Sequence, residues 1–477
     1  MAEDDSPKEA CGLFGVFNHE NAGHMVYQGL YALQHRGEES AGIVSYDESG
    51  RHTEKGMGLV GEVFSVERLQ RLKGDLAMGH TRYSTTGSSL PKNVQPIVVN
   101  CSKGQVAIAH NGNLVNAPEL RDGLEDQGAI FQTTTDSEII VHLIARSMHP
   151  SFEDSLLEAV VQLEGAFSLL LLMPDMLVGI RDPHGWRPLV LGKLEDAYIL
   201  ASETCALELL GARCERELEP GEVLIITKDG FQSHFPFEKV ARSSCIFEHV
   251  YFARPDSVVF GQSVHEARVR MGRHLAREYP AEADVVVAIP DSGNAAALGY
   301  SLESGIPFDM GIIRNHYIGR TFIQPTTDGR SFKAKVKFNP VRRVLEGKRV
   351  VVIDDSIVRG TTCASRMASL RAAGAEEIHL RISCPPVRYS CYYGIDFPNQ
   401  EELIAHRKSV DEIAEYLGVQ SLGYLSLKGL IRAVGSDGNG YCTACYSGEY
   451  PIPVKQLDKF RAEKRIKRTG EVKRAGS

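Results

Sequence analysis

Two short, wholly apolar runs in the second half of the chain constrain its fold more than any other feature. DVVVAIP (residues 284–290) and RVVVID (349–354) each lead into a turn and then a helical stretch. A run without polar alternation has both faces covered, and Val/Ile runs alternating with helices are the pattern of a parallel sheet. Ser263 and Glu266 form a capping box ahead of Ala267, Met271 and Leu275, so a helix precedes the first run. The second half therefore reads as an open α/β domain, in which ligands gather at the carboxyl ends of the strands.

The turns at the ends of these runs carry chemistry. In VVIDDSIVRGTT (351–362) the strand delivers Asp354 and Asp355 to its end, then a short Gly/Ser/Thr loop enters the helical run CASRMASLRAAGA. Backbone N–H groups at a Gly-Thr-Thr turn entering a helix form an anion cradle. Paired carboxylates beside it suit ribose hydroxyls, a hydrated Mg²⁺, or both. The plain alternative is a capped helix with two solvated acids, which capping alone does not require. Neither a Walker A loop nor a G-x-G-x-x-G fingerprint is present. In AIPDSGNAA (288–296), Gly293 would let backbone approach a ligand and Ser292 is placed to meet a metal or pyrophosphate oxygen. Residues 320–343 carry seven Lys/Arg, including Arg320 and Lys337, against one acid, Asp328. That composition suits a basic flap over a polyanion, the alternative being an ordinary exposed loop.

VVIDDSIVRGTT resembles the phosphoribosyl diphosphate (PRPP) signature of type I phosphoribosyltransferases. The resemblance implies that Asp354 and Asp355 hold the ribose hydroxyls. It places the 5′-phosphate in the loop of Ser356, Arg359, Gly360, Thr361 and Thr362. It also implies Mg²⁺ bridging the pyrophosphate near Ser292, Asp354 and Asp355, with Gly293, Arg320 and Lys337 completing the PRPP site.

The first half, to about residue 235, reads as α+β: helices on largely antiparallel sheets. CGLFGVF, QVAIAH, FSLLLLM and EVLIIT are strand-like. Val26, Leu30 and Leu33 lie on one helix that stops near Gly37. Thr135 and Glu138 make a T-x-x-E capping box before Ile139, Ile140, Leu143 and Ile144, and a third helix carries Leu156, Val160 and Leu163. Asn111-Gly112, between QVAIAH and NLV, is also a good type I′ hairpin turn.

Cys11-Gly12, GLYALQHRGEESAGI, GHTRYST, AHNGNLVN and RDPHGWRPL occur in order in this half. Together they resemble the class II, N-terminal nucleophile glutamine amidotransferases over roughly residues 11–235. The resemblance implies a nucleophilic Cys11, an oxyanion pair of Asn111 and Gly112, and glutamine bound by Arg82 and Asp136 with Arg36 nearby. With residues 1–10 removed as a propeptide, Cys11 carries thiol and α-amino group together, so one residue supplies nucleophile and base.

Cys442 and Cys445 form C-x-x-C. An all-Cys ligand set suits either an iron–sulfur cluster or structural Zn²⁺. Cys245 in SSCIFEHVYFARPDS and Cys391 in YSCYYGIDFP resemble segments that accompany the pair in one branch of the family, which implies a structural [4Fe–4S] cluster on Cys245, Cys391, Cys442 and Cys445, with Zn²⁺ as the alternative occupant.

The two halves joined, 11–235 and 236–477, resemble the amidophosphoribosyltransferase family. That implies glutamine and PRPP as substrates, Mg²⁺, feedback by purine nucleotides and a homotetramer. Composition bounds the rest. The 53 Lys/Arg against 61 Asp/Glu, a net charge of −8, argue against a nucleic-acid coat. The apolar runs are too short to span a membrane. The opening MAEDDSPKEA has no apolar signal region, and ten cysteines are too sparse for a disulfide framework, so a cytoplasmic enzyme is expected. The basic tail 461–474 reads as a solvated end. Two rivals are another class II amidotransferase, which the PRPP motif disfavours, and a PRPP-sensing regulator without catalysis, which the complete glutaminase set disfavours.

Overall fold

The computed structural model describes residues 11–83, 89–315, 338–436 and 440–453. Residues 1–10, Arg320, Lys337 and the basic tail lie outside the described residues.

Through His234 the chain builds two antiparallel sheets packed face to face. Gly12–Phe17 is the central strand of the first, between Ala197–Ala201 and Leu76–Arg82. In the second, Gly104–Leu114 lies between Ile97–Cys101 and Gly165–Met173. The reason CGLFGVF is apolar throughout is visible in its two faces. Leu13 and Phe17 point between the sheets, onto Ala107, Leu170 and Leu177. Phe14 and Val16 point outward, beneath the helix Ala22–Ala32 with its Val26 and Leu30. Helices Ser137–Arg146 and Phe152–Val160 cover the outer face of the second sheet through Ile140 and Leu156. The layers thus run helix, sheet, sheet, helix.

Two local expectations fail. Asn111-Gly112 makes no turn, because Gly104–Leu114 is one continuous strand whose residues 107–114 pair with Gly165–Met173. Both halves of the expected hairpin find the same longer partner strand instead of each other. The Thr135/Glu138 box is also absent. Asp136 is the N-cap of the helix beginning at Ser137, without a side-chain capping bond. Glu138 instead accepts from the backbone N–H groups of Gln132 and Thr133 and from the Thr133 hydroxyl, fastening the preceding loop.

The second half contains the expected parallel sheet: Val285–Ala288, Arg349–Asp354, Glu377–Ile382 and Ser421–Tyr424, adjacent in that order. The two Val-rich runs are direct neighbours, Val285 opposite Val350 and Ala288 opposite Ile353. Their carboxyl ends, carrying the AIPDSG and DDSIVRG loops, consequently open at one edge. Helix Val264–Glu278 starts where expected, the Ser263 hydroxyl accepting from the Glu266 N–H. A short parallel ladder, Ser243–Cys245 with Gly440–Cys442, places Cys245 directly opposite Cys442. Among the described residues no helix is long and apolar enough to cross a membrane.

Candidate active sites

Cys11 lies buried at the start of the central strand, its thiol 3.5 Å from the Tyr83 carbonyl. The neighbouring strand brings Thr81 opposite Gly12 and ends at buried Arg82. His80, opposite Leu13, reaches across to the second sheet, its Nε2 lying 3.1 Å from the His110 carbonyl. That contact ties the strand beside Cys11, Leu76–Arg82, to the strand that carries Asn111 and Gly112.

Asn111 is buried and its Nδ2 has no hydrogen-bond partner among the described residues. A buried amide donor left unsatisfied is costly unless something else accepts from it, and an oxyanion is such an acceptor. Gly112 has φ +144°, and a Cβ there would stand 2.0 Å from the Ala166 carbonyl, so only glycine fits. Asp136 accepts from the Leu114 N–H at 3.0 Å. Burial alone would push its carboxyl up, but His110 and that N–H hold it below the ordinary carboxylate value. It is therefore a buried anion beside the Asn111–Gly112 strand, suited to an ammonium group.

Arg36 is placed differently from expectation. Its Nε donates to the Cys11 carbonyl at 3.2 Å, and its two terminal nitrogens are taken by Glu203 and by both oxygens of Glu248. Burial would lower this guanidinium, but Glu248 and Glu203 raise it above its ordinary value. With all three nitrogens engaged and the side chain wholly enclosed, Arg36 supports the backbone of Cys11 and leaves no donor for glutamine. Arg187 reaches the same Glu248 at 3.1 Å and donates to the Tyr393 carbonyl. Glu203, Glu248, Arg187 and His110 went unrecognised in the sequence. Glu248 is separated from Arg36 by 212 positions and from Arg187 by 61, beyond any local pattern.

At the sheet edge of the second half, Asp354 and Asp355 are both buried. Asp354 Oδ1 accepts from the Asp355 N–H, and the Ser356 hydroxyl donates to Asp355. Burial and the adjacent Asp355 push Asp354 above the usual carboxylate range, and Arg366, 3.3 Å away, offsets this only in part. Gly360 is the left-handed N-cap (φ +86°) of helix Thr361–Ala372, so the loop runs into a helix N-terminus, the end that favours an anion. Ser292, Asp354, Asp355, Ser356, Gly360 and Thr362 line one cavity of about 430 Å³. Arg359 and Thr361 do not line it, and Arg359 pairs with Glu402 at 3.1 Å. Gly293 serves packing rather than ligand approach, since a Cβ there would stand 2.6 Å from the Ile353 carbonyl of the adjacent strand. An oxygen-only donor set that is too rich in buried negative charge fits Mg²⁺, which takes one or two carboxylates plus substrate oxygens and water.

The same cavity is also lined by His35, Arg36, Gly37, Glu38 and Tyr83 of the first half. Cys11, Asn111 and Gly112 do not line it; the Cys11 thiol meets the carbonyl of Tyr83, which does.

The four cysteines expected to act together are neighbours. Cys245 and Cys442 face each other across their ladder, and Cys445 is three residues on. Burial pushes the Cys245 thiol up to about 12, with Cys391 and Cys442 adding to it, and the Cys442 thiol up to about 11. Among the described residues no group of three or more His, Cys, Asp or Glu side chains converges closely enough to hold a metal ion. The donor chemistry nonetheless fits an all-Cys centre: burial keeps Cys245 and Cys442 as thiols, and a bound cationic centre would favour their thiolate forms with release of protons.

Comparisons with known proteins agree with both halves. The family described as glutamine amidotransferase domain matches residues 80–209. Amidophosphoribosyltransferase 1, chloroplastic, of Arabidopsis thaliana is 50% identical, the alignment covering 95% of this chain and 81% of that protein. The amidophosphoribosyltransferase of Bacillus subtilis is 46% identical over 96% of this chain and 97% of its own length. A solved structure described as glutamine PRPP amidotransferase from B. subtilis complexed with ADP and GMP superposes with a TM-score of 0.89. It is 46% identical and covers 94% of this chain and 98% of that one. With such identity over nearly its whole length, the chain belongs to the amidophosphoribosyltransferase family and is a glutamine-dependent pentosyltransferase of purine biosynthesis.

Proposed function

We propose that residues 11–235 release ammonia from glutamine at Cys11, and that residues 236–477 use it to convert PRPP to 5-phosphoribosylamine and pyrophosphate. The observation that carries this reading is the shared cavity, lined by the QHRG turn and Tyr83 on one side and by the PRPP loop on the other.

The Cys11 thiolate attacks the carboxamide carbon, and the developing oxyanion is met by Asn111 Nδ2 and the Gly112 N–H. Asp136 takes the substrate α-ammonium and Arg82 its carboxylate. The C–N bond breaks as the leaving nitrogen gains a proton. Water then cleaves the thioester to give glutamate and free Cys11. Removal of residues 1–10 would make the Cys11 α-amino group the base that takes the thiol proton and returns it to the leaving nitrogen. At the second site ammonia forms a bond to the anomeric carbon as the bond to pyrophosphate breaks. Asp354 and Asp355 orient the ribose hydroxyls, and Ser356, Gly360 and Thr362 hold the 5′-phosphate. Mg²⁺ held near Ser292, Asp354 and Asp355 would neutralise the leaving pyrophosphate. Arg320 and Lys337 are assigned to the flap over PRPP. Arg359, paired with Glu402, and Thr361, at the start of the helix, flank that loop.

Cys245, Cys391, Cys442 and Cys445 would hold a [4Fe–4S] cluster in a structural role, with iron and sulfide content against zinc content as the check. Purine nucleotides are assigned as feedback inhibitors, which the ADP and GMP in the B. subtilis structure support. A homotetramer is the assembly expected of the family.

Glutamate release from glutamine, measured with and without Mg²⁺–PRPP, tests the scheme. Release that rises with PRPP, with pyrophosphate formed in step, supports it, and release indifferent to PRPP removes the coupling of the two sites. For the oxyanion pair, Asn111→Ala is expected to lower glutamine-dependent kcat by ~10²–10³-fold. Synthesis from added ammonium chloride should be unchanged, and a parallel loss there would take Asn111 out of the glutaminase.

A further inference from the structure

We infer that Glu248, a residue of the acceptor half, is a positioning residue for glutamine hydrolysis, acting through Arg36 on the backbone of Cys11. The inference rests on the reading of Cys11 as nucleophile.

Cys11 needs such support. The first sheet registers this strand from Gly12 onward, with Gly12 opposite Thr81. The Leu13 N–H is bonded to the Ser202 hydroxyl and the Leu13 carbonyl to the Ser202 N–H. Cys11 lies outside that ladder, and its carbonyl accepts from Arg36 Nε at 3.2 Å. A guanidinium fixes a carbonyl only if its own plane is fixed. Glu248 does this with both carboxylate oxygens, at 2.8 and 3.1 Å from Arg36 Nη2, while Glu203 holds Nη1. Bidentate pairing locks the plane as well as the position.

The charges balance. Arg36 and Arg187 face Glu203 and Glu248, with all four side chains fully enclosed. Glu203 is further held by the Ser257 hydroxyl and the Arg254 N–H, so it cannot swing to replace Glu248. Arg187 carries the pairing on to the Tyr393 carbonyl, and Asn113, two residues beyond Asn111, donates to the neighbouring Tyr392 carbonyl. Nucleophile strand and oxyanion strand are thus both moored to the acceptor half.

Glu248 also opens the turn of π-helix Glu248–Phe252, which runs into Tyr251, Phe252 and Ala253 of the shared cavity. Arg268 fixes that turn by donating to the carbonyls of His249, Tyr251 and Ala253. One short segment therefore borders the PRPP cavity at one end and, through one arginine, orients the thiol at the other.

The test uses the full-length enzyme with Glu248→Gln, which keeps shape but removes charge, and Glu248→Asp. Three readouts are compared: kcat and KM for glutamine, synthesis from ammonium chloride, and the rate at which a glutamine-shaped diazoketone alkylates Cys11, located by peptide mass. The expected result for Glu248→Gln is a ~10²-fold loss of glutamine-dependent kcat, the scale of a misplaced reacting group. Alkylation should slow in step, while KM for glutamine and ammonia-dependent synthesis stay near wild type. Glu248→Asp should fall between. Equal loss of both syntheses, or unchanged alkylation of Cys11, overturns the assignment. A wild-type enzyme that hydrolyses glutamine yet is alkylated elsewhere than Cys11 overturns the nucleophile reading, and this inference with it.

Discussion

Replacing Cys11 by Ala is expected to abolish glutamine-dependent synthesis, by ~10⁴-fold or more, because no other group can form the thioester and a nucleophile acts as a unit with its oxyanion donors. Ammonia-dependent synthesis should survive at wild-type rate when ammonium chloride is supplied at alkaline pH, where free ammonia is abundant. The reason is spatial. The Cys11 thiol meets the Tyr83 carbonyl, and Cys11 does not line the cavity that holds the PRPP loop. The methyl group of Ala also fits a buried site without opening a large void. Steady-state rates with each nitrogen source decide the matter. Loss of both activities in a folded variant would refute the division into two sites. The intact mass of the wild-type protein belongs to the same experiment, since the α-amino group of Cys11 exists only when residues 1–10 are gone.

The second large effect is expected at the acidic pair. Asp354→Asn should reduce kcat/KM for PRPP by ~10²–10³-fold with either nitrogen source, in contrast to Cys11→Ala. The same substitution should make the ligand-free protein more stable. Burial and Asp355 raise the Asp354 carboxyl above its unfolded value. Stability associated with that group is full below the ordinary carboxylate range and is lost as pH rises toward the elevated pKa. The variant lacks this loss. Its advantage should therefore be absent near pH 3–4 and grow with rising pH to about 1 kcal/mol, read from urea midpoints across pH. Binding should have the opposite sense: on the proposed reading that Asp354 holds a ribose hydroxyl and Mg²⁺ as a carboxylate, wild-type PRPP affinity should increase through the same window. A variant less stable than wild type at pH 8 would show that the Arg366 pair outweighs the repulsion.

Much of this protein is legible in its sequence where chemistry and backbone geometry are local. VVIDDSIVRGTT is a strand, a strand-end loop and a helix start in consecutive residues, so the motif and its three-dimensional form coincide. The same holds for the two Val-rich runs, whose continuous apolar character already required a covered parallel sheet, and for the Ser263 cap. The strand CGLFGVF was equally readable, although that both of its faces are covered follows only from the two sheets and a helix meeting there.

Failures of local reading share one cause, which is competition from distant partners. Asn-Gly is a good turn only if the flanking strands pair with each other, and a longer strand from residues 165–173 took both. Thr-x-x-Glu is a good cap only if the carboxylate stays at the helix end, and the 132–133 backbone claimed it. Gly293 looked like a place for a ligand, whereas the adjacent strand fills the space. Arg36 sits in a motif suggestive of substrate binding, but two carboxylates, one from each half, consume its donors.

By itself, then, the sequence determined the two chemistries, because each is carried by short segments readable one at a time: VVIDDSIVRGTT for one, and for the other the ordered segments from Cys11 to RDPHGWRPL. The tertiary structure alone decided that residues of both halves line one cavity, that Arg36 donates to the Cys11 carbonyl, and that Glu248 and Glu203 neutralise it. A buried charge must find a counter-charge wherever the fold brings one. Its partner is chosen by proximity in space, and 212 residues of separation leave no trace in the local pattern.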